Sequence, residues 1–90
     1  MNYVGLDVHQ KQSTYCVLDA HGQKVRIGTV KGPWDKVLLD LSCRVPRPFA
    51  IVFEASLGFG VLHARLGQLA QRVVVAHPAQ LRAIWKSAGI

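Results

Sequence analysis

The arrangement of apolar and polar residues predicts several short β-strands in the first part of this chain. Val4–Val8 and Ser13–Leu18 are largely apolar segments separated by a polar stretch, and residues 24–29 alternate between polar and apolar types. Both patterns are typical of strands. The segment Asp19–Gly22 has turn chemistry, with an Asp to open the turn and a Gly that tolerates positive φ. We therefore predict three strands, of which the last two form a hairpin.

The pattern changes to helical spacing after Gly32-Pro33. Two apolar runs, Phe49–Phe53 and Arg72–Ala76, interrupt this spacing and predict buried strands. Around these strands we predict three helices: one with Trp34, Val37, Leu38 and Leu41 on a single face, a second over residues 57–70, and a third with Leu81, Ile84, Trp85 and Ala88 on its apolar face. The predicted order of elements is β-β-β-α-β-α-β-α.

This order predicts an α/β fold in a single domain over residues 1–90. A chain of this length is sufficient for one hydrophobic core. Three meandering strands followed by two right-handed crossovers give a mixed five-stranded sheet with helices on its faces, which is the plan of the ribonuclease H-like (RuvC-like) superfamily. In such a sheet the first strand is central, and the fourth lies beside it and runs parallel to it.

Two carboxylates occupy corresponding places in this plan. Asp7 lies at the end of the first predicted strand, and Glu54 directly follows the fourth predicted strand, Phe49–Phe53. A strand-end carboxylate costs several kcal/mol if it is dry and unpaired, but it serves well as a ligand of a divalent cation. Because neighbouring strands are about 4.8 Å apart, we expect both acids at the same end of the sheet. Each has a structural alternative: Asp7 caps nearby backbone N–H groups, and Glu54 interacts favourably with a helix N-terminus.

The chain is basic, with 11 Lys and Arg residues, five Asp and Glu residues and a formal net charge of +6. Such a charge favours polyanions, chiefly nucleic acid, and a merely solvated basic surface is the alternative. No apolar run reaches the roughly 20 residues of a membrane helix, and no secretory signal is visible, so we expect a cytoplasmic protein without membrane contact. Cys16 and Cys43 lack metal-ligand spacing and are predicted to be reduced packing residues.

Three blocks of sequence carry a family resemblance. They are YVGLDVHQK at residues 3–11, FEASLGFG at residues 53–60 and VVVAHPAQLRAI at residues 73–84. In this order and spacing they resemble the DEDD-type insertion-sequence transposases, the bridge-RNA-guided recombinase family that also includes pilin-inversion recombinases. His77 is a departure, since the family usually has Asn at that position.

The resemblance implies both a site and an activity. Asp7 would be the first, and Glu54 the second, of four acids that hold Mg²⁺ or Mn²⁺ for metal-dependent DNA cleavage and strand transfer in transposition and recombination. The implied partners are DNA and, in the intact protein, a guide RNA. The oligomeric state is left open: apolar surface exposed by the loss of other domains would favour association between copies of the chain. The family's Asp-x-x-Asp pair and its C-terminal domain with a nucleophilic serine do not follow Glu54, so we expect an N-terminal fragment that is incomplete as a catalyst.

Five further residues are weaker candidates for nucleic-acid contact, namely His9, Lys11, Ser56, Arg82 and Lys86. Their structural alternatives are a plain surface histidine, an N-cap serine and solvated charges. For the whole chain, the alternative function is a non-catalytic basic module for nucleic-acid binding or assembly. An actin-like ATPase is a poorer match, because the turn after Asp7 lacks the Gly-rich hairpin that approaches a nucleotide phosphate.

Overall fold

A computed structural model describes residues 1–9, 11–54 and 59–76 of the chain. Within these residues, local sequence patterns form five strands and two helices. The elements are β1 (Asn2–Val8), β2 (Gln12–Leu18), β3 (Lys24–Lys31), α1 (Trp34–Arg44), β4 (Phe49–Glu54), α2 (Phe59–Leu66) and β5 (Arg72–Ala76). No helix in this described part is long and apolar enough to cross a membrane.

The strands form one mixed sheet in the order β3-β2-β1-β4-β5. β1 is central; it runs antiparallel to β2 and parallel to β4. At the two edges, β3 pairs antiparallel with β2 and β5 pairs parallel with β4. The prediction of an α/β domain with a mixed five-stranded sheet is therefore confirmed. The observed order of elements differs from the predicted order at its end, because the third predicted helix falls in residues 77–90, outside the described residues.

The predicted turn between β2 and β3 is present at Asp19–Gly22. The backbone N–H of Gly22, at φ +79°, donates to the Asp19 carbonyl oxygen at 3.0 Å. The Asp19 carboxylate accepts from the backbone N–H groups of His21 at 2.9 Å and Gln23 at 3.0 Å. The bond from Gln23, and then that from His21, lower the pKa of Asp19 below its ordinary value. Asp and Gly fix this hairpin for separate reasons, one as an acceptor and the other as a residue that adopts positive φ.

Both helices pack on one face of the sheet and form a single core with it. α1 buries Val37 and Leu41, and α2 buries Leu62 and Leu66. The strands contribute alternate residues to the same core: Val4 and Leu6 from β1, Tyr15 and Val17 from β2, and Phe49, Ile51 and Phe53 from β4. Full burial of a side chain of this size is worth about 1.5–3 kcal/mol. The period-two pattern therefore determines which face of each strand the helices cover.

The second predicted helix is too long. It was expected over residues 57–70, but α2 ends at Leu66 and the chain continues in turns, with Gly67 N–H donating to the His63 carbonyl oxygen at 3.0 Å. Glycine is a poor helix former, so Gly67 favours the end of the helix. Leu69 and Ala70, which extended the apolar pattern, still pack against the core from the turns. Their apolar character therefore reflects burial and not continued helix.

Candidate functional site

The parallel pairing of β1 with β4 positions Asp7 beside Glu54. The last paired residues on the two strands are Leu6 and Phe53, and the two acids come directly after them. Leu6 and Phe53 are fully buried in the core. Because successive side chains in a strand point to opposite faces, both carboxylates lie on the face opposite this core, on strands about 4.8 Å apart. We call Asp7 and Glu54 the acid pair.

Asp7 is accessible to solvent and has one ionisable side chain within ion-pair distance among the described residues. About a third of its side chain is exposed (33%), and its Oδ1 lies 3.1 Å from Nε2 of His9, whose side chain is 70% exposed. Such an exposed pair contributes at most about 1 kcal/mol. Within residues 1–9, 11–54 and 59–76, no backbone N–H donates to the Asp7 carboxylate, so these residues do not provide the capping role considered above.

Glu54 is the last residue of β4 and is partly exposed. Its register partner on β5 is Ala76, which is too small to cover a carboxylate and offers no charge. Among the described residues Glu54 has no ion-pair partner. The alternative role at a helix N-terminus involves residues 55–58, which lie outside the described residues.

The acid pair matches the chemistry of a hydrated Mg²⁺ or Mn²⁺ ion. Such ions prefer oxygen ligands, and Mg²⁺ commonly retains several waters while one or two carboxylates hold it. No group of three His, Cys, Asp or Glu side chains able to hold a metal occurs in the described part of the chain. The carboxylate oxygens of the acid pair are therefore ligands of the type that Mg²⁺ and Mn²⁺ prefer. Two carboxylates would hold such an ion weakly and would leave most of its coordination positions to water.

The remaining predicted contact residues divide into two groups. His9 is brought beside Asp7, and Lys11 directly precedes β2, where its carbonyl oxygen accepts from Gly32 N–H at 2.7 Å. Ser56, Arg82 and Lys86 lie outside the described residues. Of the two cysteines, Cys16 is buried as predicted, and burial raises the pKa of its thiol. Cys43 is exposed, so its prediction as a packing residue is wrong; the apolar stripe of α1 faces the other way.

A hydrogen-bonded cluster that the sequence reasoning missed joins α1 to the sheet. The buried Tyr15 hydroxyl donates to Oδ2 of Asp40, and Arg44 Nε donates to Oδ1 of the same carboxylate at 3.0 Å. Arg26 Nε donates to the Tyr15 oxygen at 3.2 Å. Burial and then the bond to Asp40 raise the pKa of Tyr15, against a smaller opposing effect of Arg26. We call these four residues the Tyr15 cluster; the i, i+4 spacing of Asp40 and Arg44 was its only sequence signal.

Comparison with known proteins adds no family assignment. No protein-family model matches the sequence, and no curated protein matches it. The site is therefore defined by the pairing of β1 with β4 and by the two acids that follow it, and the transposase resemblance stays a prediction.

Proposed function

We propose that this chain is the N-terminal, ribonuclease H-like part of a DEDD-type transposase and supplies two acids to metal-dependent DNA cleavage and strand transfer. The observation that carries the proposal is the acid pair: Asp7 and Glu54 come directly after the last register pair of two parallel strands. The sheet order β3-β2-β1-β4-β5 supports the finer fold, since that plan has the first strand at the centre and the fourth parallel beside it.

In this proposal each residue of the site has a limited task. Asp7 and Glu54 would hold a Mg²⁺ or Mn²⁺ ion, which when bound polarises a phosphodiester and stabilises the leaving oxygen. His9, 3.1 Å from Asp7, would restrain that carboxylate. Two acids leave most coordination positions to water. The chain alone would therefore bind metal weakly and would need further acids to cleave DNA.

The net charge of +6 favours a second candidate function, a non-catalytic basic module that binds nucleic acid or assembles with it. Such a module does not require a divalent cation at the acid pair. The two functions therefore differ in whether Mn²⁺ binds at Asp7 and Glu54, and not in whether DNA binds.

A Mn²⁺ titration tests the proposed metal site without requiring activity. For a site with a Kd on the order of 1 mM, Mn²⁺ at about ten times this concentration stabilises the folded chain by about 1.4 kcal/mol. In a domain of this size the melting temperature would then rise by about 6 to 11 °C. Electron paramagnetic resonance of the free Mn²⁺ signal would measure the same binding directly. Asp7→Asn and Glu54→Gln should each abolish the rise in melting temperature.

Asp35→Asn is the matched control, because Asp35 is an exposed acid in the first turn of α1, and α1 packs on the sheet face opposite the acid pair. This variant should keep the full response to Mn²⁺. An equal response in Asp7→Asn and in the native chain would show that Mn²⁺ binds elsewhere and would remove the transposase proposal's main support. Absence of any response in the native chain would favour the basic module.

A further inference from the structure

Three basic residues of two consecutive elements line one open groove between β3 and α1. The groove has a volume of about 350 Å³, and among residues 1–9, 11–54 and 59–76 its basic lining consists of Lys31, Lys36 and Arg44. All three side chains are exposed. We call these three residues, together with the adjacent Lys11, the basic groove.

The turn from β3 into α1 explains why these residues meet. Gly32 adopts φ +110°, a conformation that favours glycine, and a Cβ at this position would lie 3.1 Å from Cγ of Lys36. The same Gly32 donates its N–H to the carbonyl oxygen of Lys11 at 2.7 Å. Lys31 directly precedes Gly32 in the chain. The backbone of one turn thus gathers three lysines that are up to 25 positions apart.

Along α1 the positive charge continues at helical spacing. Lys36 and Arg44 are eight residues apart, which corresponds to about 12 Å along a helix and to the axial rise of three to four phosphates on one DNA strand. Asp40 lies between them, but Tyr15 and Arg44 already donate to its two oxygens. Among the described lining residues, three basic side chains therefore face one acid, and the groove keeps a net positive charge.

The basic groove starts at the same end of the sheet as the acid pair. β3 and β1 are both antiparallel to β2, so their carboxyl ends lie together, with Lys31 at one and Asp7 at the other. Two strand spacings, about 10 Å, separate β3 from β1. The groove is lined largely by α1, which packs on the core face of the sheet, whereas the acid pair lies on the opposite face, so the two sites share an end of the sheet and not a face.

We propose that the basic groove binds the phosphate backbone of duplex DNA at the end of the sheet that also carries the acid pair. The positive surface is an observation of charge and position, whereas the choice of DNA as its ligand rests on the proposed function. The groove would recognise phosphates and not bases, because Lys and Arg on a strand end and a helix flank neutralise backbone charge without reading sequence.

Salt-dependent DNA binding tests this proposal. Affinity for a labelled duplex of about 20 base pairs would be measured by fluorescence anisotropy between about 50 and 200 mM salt, in EDTA so that the acid pair holds no metal. The double variant Lys31→Gln, Lys36→Gln removes two phosphate contacts. Its slope of log affinity against log salt should fall by about 1.8, which reduces the ratio of Kd at the two salt concentrations about twelvefold.

The control is Lys24→Gln, Arg47→Gln, which removes the same charge from two exposed residues at the opposite end of the sheet. It should keep the native slope. An equal decrease of the salt slope in both double variants would mean that DNA is attracted by the net charge of the chain and not by the groove. That result would overturn the proposal, as would absence of DNA binding by the native chain. Tighter, groove-dependent binding of RNA of equal length would overturn the assignment to DNA. The Mn²⁺ titration does not depend on DNA binding. A result that contradicts the basic groove is therefore distinguishable from one that contradicts metal binding at the acid pair.

Discussion

Asp40 and Asp7 are the same residue type, and each is partly exposed, yet their surroundings differ. Both oxygens of Asp40 accept hydrogen bonds from protein donors, Tyr15 and Arg44. Asp7 has, among the described residues, one neighbouring donor, and that donor belongs to the largely exposed His9. The Tyr15 cluster thus gives each carboxylate oxygen of its aspartate a protein donor, whereas the acid pair leaves much of its acceptor capacity to solvent.

The difference separates a structural acid from one that is available to a ligand. A carboxylate satisfied by protein donors stabilises the fold and gains little from a cation. Two adjacent carboxylates on neighbouring strands repel each other, which costs stability that a divalent cation restores. We therefore expect substitutions in the Tyr15 cluster to lower stability, and substitutions in the acid pair to change metal binding with little effect on stability.

The largest expected effect comes from Gly28→Ala, which would disturb the Tyr15 cluster. Gly28 pairs with Tyr15 across the two strands, and a Cβ at Gly28 would lie 2.4 Å from Cζ of the Tyr15 ring. The ring is buried and its hydroxyl is bonded at both sides, so it has little room to move. We expect the free energy of unfolding to fall by about 3 kcal/mol, measured by urea denaturation.

Gly60→Ala is the control, because Gly60 lies in α2, outside the Tyr15 cluster. A Cβ at Gly60 meets no atom of the described residues within 4 Å. Alanine is the better helix former, so this variant should gain up to about 1 kcal/mol. A loss of stability in Gly60→Ala similar to that in Gly28→Ala would show that the close approach to Tyr15 is not the cause.

A smaller loss is expected from Asp40→Ala. This change leaves the buried Tyr15 hydroxyl without its acceptor and removes the partner of Arg44 Nε. An unsatisfied buried polar group costs about 1–3 kcal/mol, and we expect about 2 kcal/mol by urea denaturation. Asp35→Ala on the same helix removes an exposed acid and should cost about 0.5 kcal/mol at most. Equal losses in the two variants would contradict a structural role for Asp40.

The sheet and the acid pair were predictable because their signals are local. Apolar runs and alternating residues defined the strands, and the Asp and Gly of the β2–β3 turn act within four residues of one another. Asp7 and Glu54 are far apart in sequence, but each is marked by its place after an apolar run. Once the first and fourth strands are taken as parallel neighbours, their meeting follows from the register.

The Tyr15 cluster and the basic groove were not predictable, because they depend on side chains that meet only after the strands pair. Tyr15 reaches Asp40 across 25 residues of sequence, and an apolar setting in β2 gave no sign that its hydroxyl needs an acceptor. Lys11 and Lys31 become neighbours through the pairing of β2 with β3 and the turn at Gly32. In the sequence these lysines contributed only to the net charge, which does not indicate where on the fold they meet.

The smallest expected effect is that of Asp7→Asn on stability, measured without metal. His9 gives Asp7 only an exposed ion pair, which is worth little, while loss of the charge removes repulsion from Glu54. In EDTA we expect the free energy of unfolding to stay within about 0.5 kcal/mol of the native value, with any change toward greater stability. Asp19→Ala is the comparison, because it removes an acceptor of two backbone N–H groups and should destabilise the hairpin. A loss of about 2 kcal/mol in Asp7→Asn would instead make Asp7 a structural acid like Asp40, and the distinction between the two regions would fail.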